Sequence, residues 1–205
     1  MKEKILKAIE EVRKNSKKRN FSQTFDLIVS LKEFDVKKPE NKFTEDVILP
    51  HGRGEDAKIV VFSDTLKDLD CEVLTSADIE KYSKNKREAR KLVKNTDFFF
   101  AEPKMMVLVG KVFGQYMGPR GKLPKVIAGD ISKIVKDYKK AVRIRIKDAP
   151  VIQCAVGKES MKDEEIAENV EAVLKAIQAK LPRGIQNIRC IWLKLTMGKP
   201  IKVEV

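Results

Sequence analysis

The sequence is poor in the residues that catalysis and metal binding use most. Its 205 residues include one histidine, His51, and three cysteines, Cys71, Cys154 and Cys190. The cysteines are odd in number, far apart and without a C-x-x-C pair, so neither a disulfide framework nor a zinc site is predicted. His51 stands in a Pro-His-Gly sequence, which is typical of a turn. We therefore expect no catalytic residues, no metal and no other cofactor.

The fingerprints of nucleotide-binding loops are also missing. Residues 114–124 are rich in glycine and proline, but a Walker A loop needs a glycine at Tyr116 and a serine or threonine at Leu123. The residues that follow the strand predicted at 58–62 contain no glycine for a G-x-G-x-x-G turn. Both gaps argue against the enzyme alternative, a Rossmann-type transferase that acts on RNA. Residues 114–124 stay a second, weaker candidate for a nucleic-acid contact.

Long apolar runs are absent as well. No stretch approaches the length that spans a membrane, and the first residues lack the apolar core of a signal peptide. The hydrophobic fraction of 42% predicts a globular protein. The net charge of +13 favours a polyanionic partner, nucleic acid first and an anionic membrane second. We expect a cytoplasmic protein.

The pattern of hydrophobic residues differs between the two ends of the chain and its middle. The flanks carry amphipathic helices at residues 3–14 and 166–181, the second opened by a predicted capping box of Ser160 and Asp163. They also carry alternating strands at residues 21–31, 142–147, 151–156 and 201–205, an apolar strand at 188–195, and a short strand at 47–49. In the middle, short apolar strands at 58–62, 72–74 and 97–101 alternate with helical stretches, one of them running from Ser76 to about Asn95.

These patterns predict an α/β protein of two domains. Residues 1–56 plus 140–205 would form a discontinuous α+β domain with helices over an antiparallel sheet. Residues 57–139 would form an inserted, Rossmann-like α/β domain with a parallel sheet.

The loop between the last two predicted strands is the first candidate site. Thr196, Met197, Gly198 and Lys199 precede Pro200, and the glycine and proline interrupt the strand pattern. Glycine allows a partner to approach closely, methionine offers an adaptable apolar surface, and lysine supplies charge. An ordinary connection between strands is the simpler interpretation of these residues taken alone.

The start of the strand at residues 21–31 is the second candidate. Phe21 and Thr24 follow a basic run at residues 13–20 and offer an aromatic ring and a hydroxyl. Such groups stack on bases and bind riboses, and the cations would contact phosphates. The alternatives are that Phe21 caps the core and that the run is a solvated helix end.

A third candidate is the strand at residues 142–147. Arg143, Arg145 and Lys147 alternate with apolar residues, which predicts one wholly basic face, and residues 151–156 would return as the second arm of a hairpin. A solvated edge protected by charge is the alternative to phosphate binding.

Several stretches together resemble the archaeal form of the large-subunit ribosomal protein L-one family, over essentially the whole chain. The stretches that carry the resemblance are residues 21–24 (FSQT), 47–52 (VILPHG), 117–124 (MGPRGKLP), 155–158 (AVGK) and 196–198 (TMG). Each is weak alone, but all of them in this order are specific.

The resemblance implies a structural protein that binds large-subunit ribosomal RNA. It implies that this protein forms the mobile stalk beside the exit site for deacylated tRNA and assists its release. It also implies repression of translation through a similar element in the protein's own messenger RNA. A regulator that binds only messenger RNA is the alternative. Family contacts match Phe21, Thr24, Thr196, Met197 and Gly198, and the hairpin around Lys147 resembles a secondary contact.

Overall fold

The structure is a computed structural model and describes residues 1–38, 41–66, 69–127 and 129–203. The chain forms two compact units, one built from Met1–Asp56 with Lys140–Val205 and the other from Ala57–Lys139. Within the described ranges, none of the helices has the length and apolar character needed to cross a lipid bilayer.

Both units combine helices with strands. The helices are α1 (Lys2–Asn15), α2 (Ser76–Lys84), α3 (Lys86–Asn95), α4 (Met106–Met117), α5 (Ile131–Lys139) and α6 (Asp163–Lys180). The strands are β1 (Thr24–Leu31), β2 (Thr44–Ile48), β3 (Ile59–Phe62), β4 (Glu72–Leu74), β5 (Phe98–Ala101), β6 (Lys125–Val126), β7 (Ala141–Arg145), β8 (Val151–Lys158), β9 (Ile188–Leu195) and β10 (Ile201–Val203).

The first unit is built on a four-stranded antiparallel sheet in the order β10-β9-β1-β8. Every second residue of β1 is buried, as the alternation in its sequence requires for a strand with one covered face. Residues on that face pack with the apolar stripes of α1 and α6 in one continuous core. A separate pair, β2 with β7, joins the same core.

The second unit has a parallel sheet in the order β4-β3-β5-β6. All residues of β3 and β5 are buried because helices cover both faces. Phe62 and Phe99 pack with α2, α3 and α4, while Phe98 and Phe100 meet the ring of Tyr138 in α5 edge-on. The predicted fold class, an antiparallel sheet with helices and a separate parallel α/β sheet, is confirmed.

Several local predictions were wrong. β1 begins at Thr24, so Phe21 precedes the strand. The helical stretch after Ser76 is two helices, because Asn85 ends α2 and its side chain accepts from the backbone N–H of Glu88 to start α3. The 142–147 strand pairs with β2, and the strand predicted as its hairpin arm pairs with β1.

The start of α6 also differs from the predicted capping box. The helix begins at Asp163 after an N-cap at Lys162, whose backbone N–H donates to Glu165 (3.2 Å). Asp163 instead accepts from Arg13 of α1. Of the last predicted strand, residues 204 and 205 lie outside the described part of the chain.

Candidate nucleic-acid interface

The start of β1 and the end of β9, the two central strands, meet at one end of the antiparallel sheet. The register pairs Phe25 with Leu195, which places Thr24 beside Thr196. The Thr196 N–H donates to the Thr24 carbonyl (3.0 Å), and the Thr24 N–H donates to the Thr196 hydroxyl oxygen (3.3 Å). That hydroxyl also lies 3.2 Å from the Thr24 carbonyl, to which it donates. Two stretches far apart in sequence therefore form one edge.

Two large apolar side chains stand exposed at this edge. Phe21 is 54% exposed and Met197 is 61% exposed. Leaving such groups in water forfeits the stabilisation that burial would give, about 1.5–3 kcal/mol for a full side chain. Exposed apolar groups that share one site are typical of a binding surface. We call Phe21, Thr24, Thr196, Met197 and Gly198 the recognition edge.

Hydrogen bonds fix the loop that carries Met197. The Met197 N–H donates to the side-chain oxygen of Gln23 (3.3 Å), and the Gly198 N–H donates to the Leu195 carbonyl (2.8 Å). A Cβ on Gly198 would lie 3.3 Å from the Leu195 Cβ, tighter than ordinary contact, so a larger residue there would have to displace the Leu195 side chain by a few tenths of an ångström. The loop is thus held in one conformation before any partner arrives, which lowers the entropy cost of binding.

Cations lie beside the recognition edge. Lys17, Arg19 and Lys199 are exposed and line, together with Gln23 and Met197, a cleft of about 180 Å³. The cations suit phosphates and the adjoining apolar groups suit riboses and bases. The predicted basic run therefore supplies some of its members to this site.

Arg13, from the same basic run, is used inside the protein. Its guanidinium donates to the Asp163 carboxylate (2.7 Å) and to the carbonyls of Glu159 (2.7 Å) and Met161 (2.8 Å). It also lies over the Phe25 ring, 5.3 Å from the centroid. Arg13 holds α1 to the start of α6 and belongs to the structure of the unit.

A second cleft, of about 390 Å³, lies on the face of the antiparallel sheet that is turned away from its core. Asp26 and Lys194 line it from neighbouring strands. Burial raises the pKa of the Asp26 carboxyl, and the nearby Lys194 ammonium partly opposes this. An approaching phosphate would raise that pKa further, so Asp26 gives up its negative charge more easily than an exposed carboxyl.

The structure separates the third candidate from the first two. The Leu31 N–H, at the far end of β1 from Thr24, donates to the Pro150 carbonyl (2.9 Å). Seven residue steps of strand place the two ends of β1 roughly 20 Å apart. Lys147 is three residues before Pro150, so Lys147 and the recognition edge do not form one cluster.

The basic face of β7 is also partly neutralised. Asp46 of β2 lies opposite Arg143, and its carboxylate accepts from the guanidinium at 2.7 Å. The prediction of a wholly basic face is therefore wrong at Arg143, because the acid comes from another strand. Arg145 is half-buried opposite Thr44, and Lys147 is exposed beyond the strand. Both stay predictions as phosphate contacts.

His51 and Cys154 belong to the first unit but not to the recognition edge. His51 contacts the Glu168 carboxylate (2.6 Å), and hydrogen bonds from His51 and then Lys2 lower the pKa of that carboxyl. Burial raises the pKa of the Cys154 thiol to about 12, so it stays protonated. The described residues contain no group of three or more side chains placed to hold a metal ion.

An exposed apolar edge beside solvent-facing cations is typical of proteins that bind a polyanion. The profile of the "Ribosomal protein L1p/L10e family" matches residues 12–199. "Large ribosomal subunit protein uL1" of Pyrococcus horikoshii is 46% identical, with 98% of this chain and 96% of that protein covered. The protein of the same name from Methanocaldococcus jannaschii is 42% identical, with 98% and 95% covered.

The chain therefore belongs to the ribosomal protein L1 family. The predicted family and class are confirmed: a ribosomal protein of the cytoplasm, and not an enzyme. The residues of the recognition edge, with Lys199, Arg145 and Lys147, stay predictions as RNA contacts.

Proposed function

We propose that this protein binds ribosomal RNA of the large subunit through the recognition edge and forms the mobile stalk beside the tRNA exit site, where it assists release of deacylated tRNA. The observation that carries the proposal is the Thr24–Thr196 pair, which joins two exposed apolar residues on one fixed edge. The names of the relatives, each a protein of the large ribosomal subunit, support the choice of ribosomal RNA.

The binding mechanism follows from the edge. Met197 and Phe21 would pack on riboses and bases of a folded RNA, while Gly198 lets the RNA backbone come close. Lys199 would contact a phosphate next to these groups, and Arg145 with Lys147 would contact phosphates further along the RNA. Shape and close packing, more than charge, would give the selectivity.

We propose further that the same edge binds a similar element in the protein's own messenger RNA and represses its translation. One edge cannot hold two RNAs at once, so the two RNAs would compete. Competition would couple synthesis of the protein to the supply of unoccupied ribosomal RNA. A mixture of both RNAs, titrated with protein, should show each displacing the other; simultaneous binding would contradict a shared site.

Met197→Asp tests the proposed edge. It places a carboxylate against RNA and removes apolar contact, so affinity for a ribosomal stalk fragment should fall by about a hundredfold, or roughly 2.7 kcal/mol. Filter binding with the fragment and a scrambled RNA measures this.

Two changes serve as controls for Met197→Asp. Val107→Asp makes the same type of change at a residue that is 65% exposed in the second unit. Lys91→Ala removes an exposed cation from α3. Both should lower affinity by less than about threefold, as expected for changes away from close contacts. Equal losses for all three variants would refute the proposed location.

A further inference from the structure

Gln23 is a buried polar residue whose hydrogen bonding is incomplete. It is 2% exposed, and its amide nitrogen has no partner among the described residues. Its side-chain oxygen accepts from the Met197 N–H, which fixes which end of the amide is oxygen and which is nitrogen. A buried donor without an acceptor costs about 1–3 kcal/mol. The nitrogen needs an acceptor that the described chain does not supply.

The surroundings of Gln23 indicate what that acceptor is. Gln23 lines the 180 Å³ cleft with Lys17, Arg19 and Lys199, so three cationic residues share one cleft with the amide side chain. The cleft also contains Asn15, another side chain with donors. Donors and cations around one small cleft match a phosphate, which offers acceptor oxygens and negative charge together.

The acidic groups near Gln23 do not fill this role. The Glu159 carboxylate accepts from the Gln23 backbone N–H (3.3 Å), and the Glu159 N–H donates to the Gln23 carbonyl (2.8 Å). These bonds use the backbone N–H and carbonyl of Gln23, and its side-chain nitrogen takes no part in them. They also fix the position of residue 23.

We propose that the cleft lined by Gln23, Lys17, Arg19 and Lys199 is a phosphate-binding subsite, in which the Gln23 amide nitrogen donates to one backbone phosphate of the bound RNA. The inference rests on the proposed function, because the phosphate belongs to the RNA held at the recognition edge. Since the same amide binds Met197 through its oxygen, Gln23 links the phosphate directly to the loop that carries Met197.

Gln23→Glu tests the subsite with little change in shape. The carboxylate still accepts from the Met197 N–H, but it replaces the donor by an acceptor and adds charge that repels phosphate. Affinity for the stalk fragment should fall about tenfold, and the slope of log affinity against log salt should decrease by about one. Ethylation interference should show one fewer essential phosphate than in the wild type.

Gln186→Glu is the matched control. Gln186 is exposed and lies before β9, at the opposite end of that strand from Met197. The Gln186→Glu variant makes the same change of charge, and it should leave the affinity, the salt slope and the set of essential phosphates as in the wild type. Arg19→Ala, at an exposed position that cannot disturb the core, should remove the same phosphate as Gln23→Glu.

The outcomes separate this inference from the proposed function. If Gln23→Glu and Arg19→Ala keep every essential phosphate and the full salt slope while the wild type binds selectively, the subsite is refuted and the proposed function stands. If the two variants lose different phosphates, the subsite is also refuted. If the wild type does not distinguish the stalk fragment from scrambled RNA, the proposed function itself fails.

Discussion

At the residue scale, the role of each cation depends on what the fold places beside it. Arg13 and Arg19 belong to one basic run, yet Arg13 holds two helices together and Arg19 lines a cleft open to solvent. Arg143 and Lys147 belong to one strand pattern, yet Arg143 lies against Asp46 and Lys147 is exposed. Charge in the sequence therefore predicts partners only where the fold leaves the charge available.

The Arg143–Asp46 pair should be costly to break from one side. The Asp46 side chain is only 3% exposed and that of Arg143 only 17%, so Arg143→Met removes the guanidinium that faces a buried carboxylate. We expect the free energy of unfolding to fall by about 3 kcal/mol. Chemical denaturation followed by circular dichroism measures the loss.

Two further variants test this explanation. Arg19→Met makes the same substitution at an exposed position and should change stability by less than about 0.5 kcal/mol. Arg143→Met combined with Asp46→Leu removes both charges and should recover most of the loss, to within about 1 kcal/mol of the wild type. A double variant as unstable as the single one would show that the cost is lost packing and not the loss of the guanidinium opposite Asp46.

The sequence predicted the residues of the candidate site whose exposure follows from local pattern. Met197 and Gly198 break a strand alternation, and Phe21 stands where the pattern predicted a strand to begin, so both stretches could be found without a structure. The burial of Gln23 could not be predicted, because it depends on Met197, which is distant in sequence. The pairing of Arg143 with Asp46 could not be predicted either, because these two residues are also distant in sequence.

At the element scale, α2 begins with a network that depends on ionisation. The Asp78 carboxylate accepts from Lys81 (2.8 Å) and from the Thr75 hydroxyl (2.9 Å) and backbone N–H (3.3 Å). The hydrogen bond from Lys81, followed by those from Thr75, lowers the pKa of Asp78 from 3.8 to about 2. The ionised carboxylate therefore stabilises the first turn of the helix.

This network predicts a pH dependence with a definite sign. A carboxyl whose pKa is lower in the folded state adds stability above its unfolded value of 3.8, and that stability is lost as the pH falls through about 2. Asp78→Asn should therefore be less stable than the wild type at pH 6, and the difference should shrink between pH 4 and 2. Thermal unfolding across this range measures it.

Asp137→Asn is the control for that experiment. Asp137 is an exposed aspartate of α5 in the same unit, so the variant makes an equal change of charge away from the α2 network. Its stability relative to the wild type should show no comparable change between pH 4 and 2. If both variants behave alike, general charge and not the capping network determines the acid response.

Elements were predicted better than their pairing. Periods of two and of 3.6 residues are local properties, so most strands and helices could be placed from the sequence. Pairing depends on which surfaces meet in three dimensions, and β7 pairs with β2 although β8 is its neighbour in sequence. The break at Asn85 was missed because both helices around it are rich in charge and helix-forming residues.

At the scale of the whole molecule, the recognition edge belongs entirely to the discontinuous unit. Thr24 comes from the segment before the inserted unit, and Thr196 comes from the segment after it. The two ends of the inserted unit lie close together, because the Ala57 N–H donates to the Lys139 carbonyl (2.8 Å). A short linker can therefore replace the inserted unit.

Replacing residues 57–139 by a short glycine-serine linker should preserve selective RNA binding. Among the described residues, the core and the recognition edge of the first unit are built only from that unit. We expect affinity for the stalk fragment within about tenfold of the full chain, with a shallow salt dependence. Filter binding across a salt series, with scrambled RNA as the control, measures both. Loss of selectivity, or equal binding of both RNAs with a steep salt dependence, would contradict the proposed edge.

The central position of β1 has a consequence for biosynthesis. Its two neighbours in the sheet, β8 and β9, are translated only after the whole inserted unit has been made. The inserted unit contains all strands of its own sheet and can fold early. β1, in contrast, can pair with β8 and β9 only after the chain has closed a long loop. A partly synthesised chain consequently has no finished recognition edge. Under the proposed function, only a chain translated past Met197 would capture RNA, so unfinished polypeptides would not compete with the completed protein.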